Sequence, residues 1–259
     1  MSVQSVGFVG GGRIARIMLE GWRRAGALPA NIVVADPNPA ALQALKSRFP
    51  SIEVCLGDNS RAASQAVVML GIHPQVYEQS VPEFAGALNP EAMVISLAPK
   101  LTIARLSRLL GGFDRIARLI PNAPSIVGSG FNPVAFGRAL TDADRAIILD
   151  LLAPLGDAPV VSEETLEAYA ITAAMGPTYL WFQLYELRDL ARSFGLSDKA
   201  AAAAVERMTR GALATMNAGM APAEVMDLVA VRPLAEAEPT VLDAYRTLLT
   251  AVMERIRPV

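Results

Sequence analysis

The amino-acid sequence predicts an α/β fold, an N-terminal doubly wound parallel sheet followed by an all-helical domain. Three observations predict it. Short apolar runs alternate with amphipathic runs through the first 160 residues, as strands joined by crossover helices do. The first of these runs ends in a glycine-rich turn. From Glu163 onward no strand-like run recurs, and long helical stripes take over. The expected domains are therefore 1–160 for the sheet and 161–259 for the helices.

The elements follow in order. Val6-Gly-Phe-Val9 is apolar or glycine throughout, as a buried parallel strand should be. Gly10 to Gly12 form a turn. From Ile14 the positions Ile14, Ile17, Met18, Gly21 and Trp22 recur at helical spacing. Ile32-Val-Val-Ala35 is a second strand, closed by Asp36. Pro37 and Pro39 mark a turn, and 40–49 reads as helix. Glu53-Val-Cys-Leu56 is a third strand, after which Asp58-Asn-Ser60 can cap a short helix. Ala66-Val-Val-Met-Leu70 is a fourth, ending at Gly-Ile-His-Pro74. Helix is expected over 76–87, strand over 93–96, helix over 103–110 and a short strand over 115–119. One more strand is expected over 131–136. Thr141-Asp-Ala-Asp144 has capping-box spacing and opens a helix to about 152. Pro159-Val-Val161 is the last strand. Helices then fill 163–194, interrupted near Gly176-Pro177, then the alanine-rich 198–216, and 242–257.

Composition narrows the function. The chain has 259 residues, is 53% hydrophobic and 19% charged, and carries a net charge of −2. That balance argues against nucleic acid or an anionic membrane as partner. The single cysteine, Cys55, excludes an internal disulfide framework and suits a reducing compartment. The first strand begins almost at once, and no apolar run is long enough to span a bilayer. A cytoplasmic protein is expected. No His/Cys/carboxylate cluster supports a metal site. The stripe of Tyr179, Leu180, Phe182, Leu184 and Leu187 suits a homodimer or higher homo-oligomer, though such residues can also pack within one chain.

The glycine turn points to chemistry. Gly10, Gly12 and Ala15 fit the pattern G-x-G-x-x-G/A of dinucleotide-binding folds. Gly10 permits the sharp turn, Gly12 leaves room for a pyrophosphate, and Ala15 lets helix and strand pack closely. The phosphates would lie at the positive end of the helix. Asp36 falls about 20 residues on, where such folds read the adenine ribose. Ligands of doubly wound sheets lie at the carboxyl ends of the strands. The residues expected to face the cofactor are therefore Gly10, Gly12, Arg13 and Ile14, Asp36, His73 and Pro74, Ala98 and Lys100, and Asn122. Each of three has a plain structural alternative. His73 can be a packing residue, Lys100 a solvated residue at the start of a helix, and Asn122 an Asx-turn residue.

With these landmarks the chain resembles the pyrroline-5-carboxylate reductase family, within the wider NADP-oxidoreductase, coenzyme F420-dependent group. Phe8-Val-Gly-Gly-Gly-Arg-Ile-Ala15 is similar to the family's opening turn. Asp58-Asn59 matches an asparagine against the cofactor's adenosine side. Ile72-His-Pro-Gln75 stands where Val-Lys-Pro-Gln is usual. Ile95-Ser-Leu-Ala98 matches the strand before the nicotinamide. Ile120-Pro-Asn-Ala-Pro124 is similar to Met-Pro-Asn-Thr-Pro, and Gly176-Pro177 falls where the family has Ser-Gly-Ser-Gly-Pro. The resemblance implies a Rossmann domain, a helical dimerisation domain, NADP or NAD as cofactor, Asn59 as a further cofactor contact, and a small cyclic imine as substrate. Its departures lie on the substrate side. Ala173 and Met175 replace two serines, Pro233-Leu-Ala-Glu-Ala237 replaces Pro-Gly-Gly-Thr-Thr, and Lys100 replaces a glycine.

Hydride transfer is the cofactor's own chemistry. A protonated imine needs no strong general acid, which suits a chain with one histidine. A ketone would need a donor, and Lys100, Thr178 or His73 could serve. The catalytic candidates are Lys100 and Thr178. The sequence thus reads as an NAD(P)H-dependent oxidoreductase acting on C=N or C=O. The alternative is a cofactor-binding regulatory or scaffolding dimer without turnover.

Overall fold

The computed structural model describes residues 5–258. Its elements are β1 (Ser5–Val9), α1 (Arg13–Arg24), β2 (Asn31–Asp36), α2 (Pro39–Arg48), β3 (Glu53–Leu56), α3 (Asn59–Ala63), β4 (Val67–Leu70), α4 (Tyr77–Ala85), β5 (Met93–Ser96), α5 (Ile103–Leu109), β6 (Ile116–Leu119), β7 (Gly130–Phe131), β8 (Val134–Phe136), α6 (Asp142–Leu152), β9 (Gly156–Asp157), α7 (Leu166–Tyr169), α8 (Pro177–Ser193), α9 (Asp198–Met216), α10 (Pro222–Asp227) and α11 (Glu238–Ile256). The main sheet has seven strands in the order β3-β2-β1-β4-β5-β6-β8. All neighbours run parallel except β8, which is antiparallel to β6.

The continuous apolar runs are explained by two covered faces. Alternate residues of one strand enter different cores. Phe8, Val34, Met69 and Ile95 pack with Met18, Trp22, Leu42 and Leu152. Val9, Val33, Leu70 and Val94 pack with Tyr77, Val81, Phe84 and Leu106. Trp22 is fully buried, its ring centroid 6.0 Å from that of Phe8 and its indole N–H donating to Leu151 O at 2.8 Å. It ties α1 to α6 on one face of the sheet. Losing such a side chain typically costs about 3–5 kcal/mol.

The capping signals act as expected. Asp58 accepts from Arg61 N–H, and Thr141 with Asp144 forms a complete capping box. Burial works against ionisation of Asp144, yet hydrogen bonds from Thr141 and the Arg115 guanidinium outweigh it, and the carboxyl sits below its ordinary value.

Several elements differ from the expectation. The strand expected over 131–136 is two strands in different sheets, split at Asn132-Pro133. The Asn132 side chain turns inward there and accepts from Asn122 N–H and Ser125 Oγ–H. The strand expected over 159–161 reduces to a bridge between Val134 and Val160, with β9 just before it. The helix over 163–194 is a succession of a 3-10 turn, α7, a π-helical turn at Ala170–Ala174 and α8. α11 starts at Glu238, ahead of position 242, with Pro239 in its first turn, where a missing N–H is harmless.

The chain divides into two compact units. One runs to Met175 and regains the chain from Val252; the other is Gly176–Ala251. The sequence places the boundary near Val160. The segment between stays with the sheet because Leu166 and Ala170 bury themselves against Ile120 and Ala135, with Ile256 packed alongside. In the helical unit α8, α10 and α11 contain no buried residue, and α9 buries only Ala201 and Val205. None of the described helices is long and apolar enough to cross a membrane.

Candidate functional site

β1 lies between β2 and β4, so the crossovers from β1 and from β3 leave in opposite directions. That is the switch point where such sheets open a crevice at the strands' carboxyl ends. The glycine turn lies there. Gly10 has φ 105°, and a Cβ on it would stand 2.6 Å from Gly71 O. Its glycine is required by the turn itself. Gly11 is confined too, since a Cβ would come within 3.1 Å of Val34 Cγ1. Gly12 is different. It has an extended backbone, and a Cβ there would meet nothing within 4 Å. No packing demand of the chain accounts for this glycine.

Gly12 caps α1 without a side-chain hydrogen bond, and the first turn of α1 contains no acid. This end of the helix therefore carries the positive end of the dipole with no side chain of the chain capping it. Arg13 is exposed at the first helical position, and Ile14 is half-buried against the core. Asp36 braces the turn: Oδ2 accepts from Gly11 N–H and Oδ1 from Asn38 N–H, each at 2.7 Å. Arg48, the next arginine after Asp36, is engaged with the buried Glu20 at 2.9 Å. Asn59 opens α3 and is half-buried.

Along the crevice, His73 is exposed and its Nδ1 accepts a long hydrogen bond from Gln75 N–H. Pro74 begins the 3-10 turn Pro74–Val76. Ala98 is buried after β5. The Tyr77 hydroxyl, pushed upward in pKa by full burial, donates to Leu70 O at 3.0 Å and meets Ser96 Oγ at 3.2 Å. This pins the ends of β4 and β5 together. Lys100 precedes α5, whose N-cap is Thr102. A cavity of about 200 Å³ is lined by Pro74, Gln75, Glu78, Lys100, Leu101 and Arg105.

Asn122 is nearly buried, at 6% exposure. Its Oδ1 accepts from Phe131 N–H at 3.1 Å and its Nδ2 donates to Ala173 O at 3.3 Å. The side chain braces the loop after β6 against the segment that leads to α8. Thr178 lies exposed in the first turn of α8, in the helical unit. Gly10, Gly12, Arg13, Asp36, His73, Pro74, Ala98, Lys100 and Asn122 lie at or after the carboxyl ends of strands in the first unit.

One group escaped the sequence reading. Arg118, inside β6 and fully buried, pairs with Glu167 at 2.5 Å and Glu163 at 3.2 Å. An arginine in the middle of an apolar strand, with two glutamates four residues apart further on, was a signal for it. Among the described residues no group of three or more His, Cys, Asp or Glu could hold a metal.

Residues 5–100 match the family described as NADP oxidoreductase coenzyme F420-dependent. The chain is 25% identical over 228 residues to the pyrroline-5-carboxylate reductase of Escherichia coli K12, covering 87% of this chain and 84% of that one. It is also similar in structure to a pyrroline-5-carboxylate reductase from Coxiella burnetii, with a TM-score of 0.73, 24% identity, and coverage of 99% and 98%. A Plasmodium falciparum pyrroline carboxylate reductase, solved with NADP bound, matches with a TM-score of 0.74 and 16% identity over 98% of this chain and 94% of that chain.

Proposed function

We propose that this chain, which belongs to the pyrroline-5-carboxylate reductase family, reduces a cyclic imine or a related C=N or C=O compound with NADPH or NADH. The observation that carries the reading is Gly12, a glycine that the chain's own packing does not require, at the open N-terminus of α1. The nicotinamide, when bound, supplies the hydride. The chain's part is to hold and orient. The N–H groups opening α1 receive the pyrophosphate. Asp36, already fixed by Gly11 and Asn38, accepts from a ribose hydroxyl. Ala98 and the loop after β5 border the reacting end, with Lys100 as the nearby cation. Asn122 acts through the fold by bracing that end of β6.

Cofactor choice turns on two residues. Asp36 favours a free 2′-hydroxyl and repels a 2′-phosphate, while Arg13 is the arginine free to meet that phosphate, since Arg48 is held by Glu20. We favour NADH on this balance.

The substrate side supports a departure from pyrroline-5-carboxylate. Where the resemblance places hydroxyl donors, this chain has Ala173, Met175 and Glu236. Each lost hydrogen bond to a carboxylate weakens binding by roughly 1.5–3 kcal/mol. Steady-state kinetics with pyrroline-5-carboxylate, its decarboxylated analogue pyrroline, and keto acids, with NADH and NADPH, test this. The analogue or another uncharged acceptor is expected to be the better substrate. Efficient turnover of the carboxylate, with the analogue no better, refutes the substrate assignment. Tight cofactor binding with no turnover of any acceptor would favour the regulatory reading.

A homodimer or higher homo-oligomer is part of the proposal. α8, α10 and α11 contain no fully buried residue, and Trp181, Phe182, Tyr185 and Leu187 stand exposed. Helices in water draw most of their stability from a buried apolar face, and a second copy supplies one. Sedimentation equilibrium showing a monomer at micromolar concentration would overturn this.

A further inference from the structure

Lys100 has φ 80° and is the one non-glycine residue with positive φ among the described residues. A side chain seldom adopts that conformation unless its surroundings impose it. Glu167 is the side chain that holds this backbone. Its Oε1 accepts the Lys100 N–H at 2.9 Å and also receives Arg118 Nη2 at 2.5 Å. Glu163, one helical turn earlier, does the same for the far side of the loop. Its Oε1 accepts the Ile103 N–H at 2.6 Å and meets Arg118 Nη1 at 3.2 Å. Two carboxylates thus grip the backbone on either side of Leu101 and Thr102, and one arginine from β6 locks both.

This arrangement is a poor device for stability. Desolvation offsets most of the attraction within a buried ion pair, and apolar side chains of the same volume hold a core as well. The cluster also leaves Arg118 Nε and Glu167 Oε2 without partners. What it does achieve is direction. The Lys100 ammonium has no ion pair or hydrogen bond among the described residues, and Lys100 lines the cavity beside Pro74 and Gln75. An α-region or extended backbone at this residue would send the side chain elsewhere.

We infer that Glu167, clamped by Arg118, is a positioning residue: it holds Lys100 left-handed so that its ammonium faces the substrate. This rests on the reading of the strand ends as a reductase site.

The test uses the full chain and two paired variants. Arg118→Met with Glu167→Gln removes both charges but keeps an oxygen for the Lys100 N–H. Arg118→Met with Glu167→Leu removes the oxygen as well. With pyrroline or pyrroline-5-carboxylate and saturating cofactor, the glutamine pair is expected to keep kcat within about threefold. The leucine pair is expected to lose about 10–100-fold, the scale of a group misplaced by an ångström. Amide exchange at Lys100 accelerates only in the leucine pair. In a Lys100→Gly background the difference between the pairs collapses, because no ammonium is left for Glu167 to place. Equal kcat for the two folded pairs, or an undiminished difference in that background, overturns the inference. Lys100→Gly alone covers the case in which a paired variant fails to fold. It relieves the strain, so melting is expected to rise by roughly 2–4 °C while kcat falls. A lowered melting point or an unchanged kcat counts against the role. If the wild-type protein turns over no acceptor, the site reading fails, while amide exchange and melting still decide whether Glu167 holds Lys100.

Discussion

Valine at position 12 tests the glycine turn. The backbone of Gly12, at φ −78° and ψ −158°, is extended and open to any residue, and an added Cβ meets nothing within 4 Å. The substitution therefore introduces no strain. It does replace glycine with a poorer N-cap, worth about 0.5–1 kcal/mol, or a melting shift of roughly 1–4 °C. The effect on binding is far larger. The valine methyls occupy the space that the pyrophosphate requires, and the helix N–H groups lose their anion. Two charge-assisted hydrogen bonds at about 1.5–3 kcal/mol each raise the Kd by roughly 10²–10⁴-fold. Gly10→Val is the contrast: with φ 105° and a Cβ at 2.6 Å from Gly71 O, it is expected to disrupt the fold itself. Titration calorimetry with NADH and NADPH, beside thermal melting, reads both effects. A folded Gly12→Val protein that binds either cofactor within threefold of wild type would refute the assignment of this turn.

Asp36→Ser removes the repulsion at the ribose end and is expected to move the preference toward NADPH by about 1–2 kcal/mol, some 5–30-fold in the ratio of Kd values; a wild type that already binds NADPH far more tightly than NADH means that Arg13 dominates. Asn122→Ala leaves Phe131 N–H and Ala173 C=O without their partner and should lower stability by about 1–3 kcal/mol; an unchanged urea midpoint would count against Asn122 as a brace. The carboxyl of Asp144 is depressed in the folded protein, so its contribution is present above the ordinary carboxylate value near ~3.9 and is lost as pH falls through the lower folded value. Asp144→Asn is expected to lower the melting temperature at neutral pH and to flatten its decline below about pH 4, and parallel curves for the two proteins would show that the group is not linked to folding.

The sheet was legible because its signals are local. Val6 to Val9, the glycine turn and Asp36 declare strand, turn and strand end within a few residues, and the capping box at Thr141 declares a helix start. Lys100 was read correctly as lying at a strand's carboxyl end. Its left-handed backbone was not legible, because its cause, Glu167, lies in a different segment and faces it only in the fold. Asn122 was read as a cofactor contact or an Asx-turn residue. The structure points its amide into Phe131 and Ala173, partners that no spacing rule brings together. The strand expected over 131–136 failed because apolar residues on both sides of Asn132-Pro133 look continuous, while Pro133 offers no N–H and Asn132 is drawn inward by Asn122 and Ser125. Asp36 closes β2 where the sequence put a strand end, and there it braces Gly11.

α11 starts in the helical unit and ends in the sheet unit, where Ile256 packs beside Ile120, Ala135, Leu166 and Ala170. During synthesis, every strand of the sheet is therefore complete long before the last side chain packed on this patch is made. The nascent sheet unit must wait, with that patch still lacking Ile256, while Gly176–Ala251 leaves the ribosome. A fragment cut after Met175 would remain in this waiting state, which makes it a candidate for chaperone binding and a poor substitute for the intact unit. The helical unit, for its part, is an insertion tied at both ends, and a protease needs two cuts to release it.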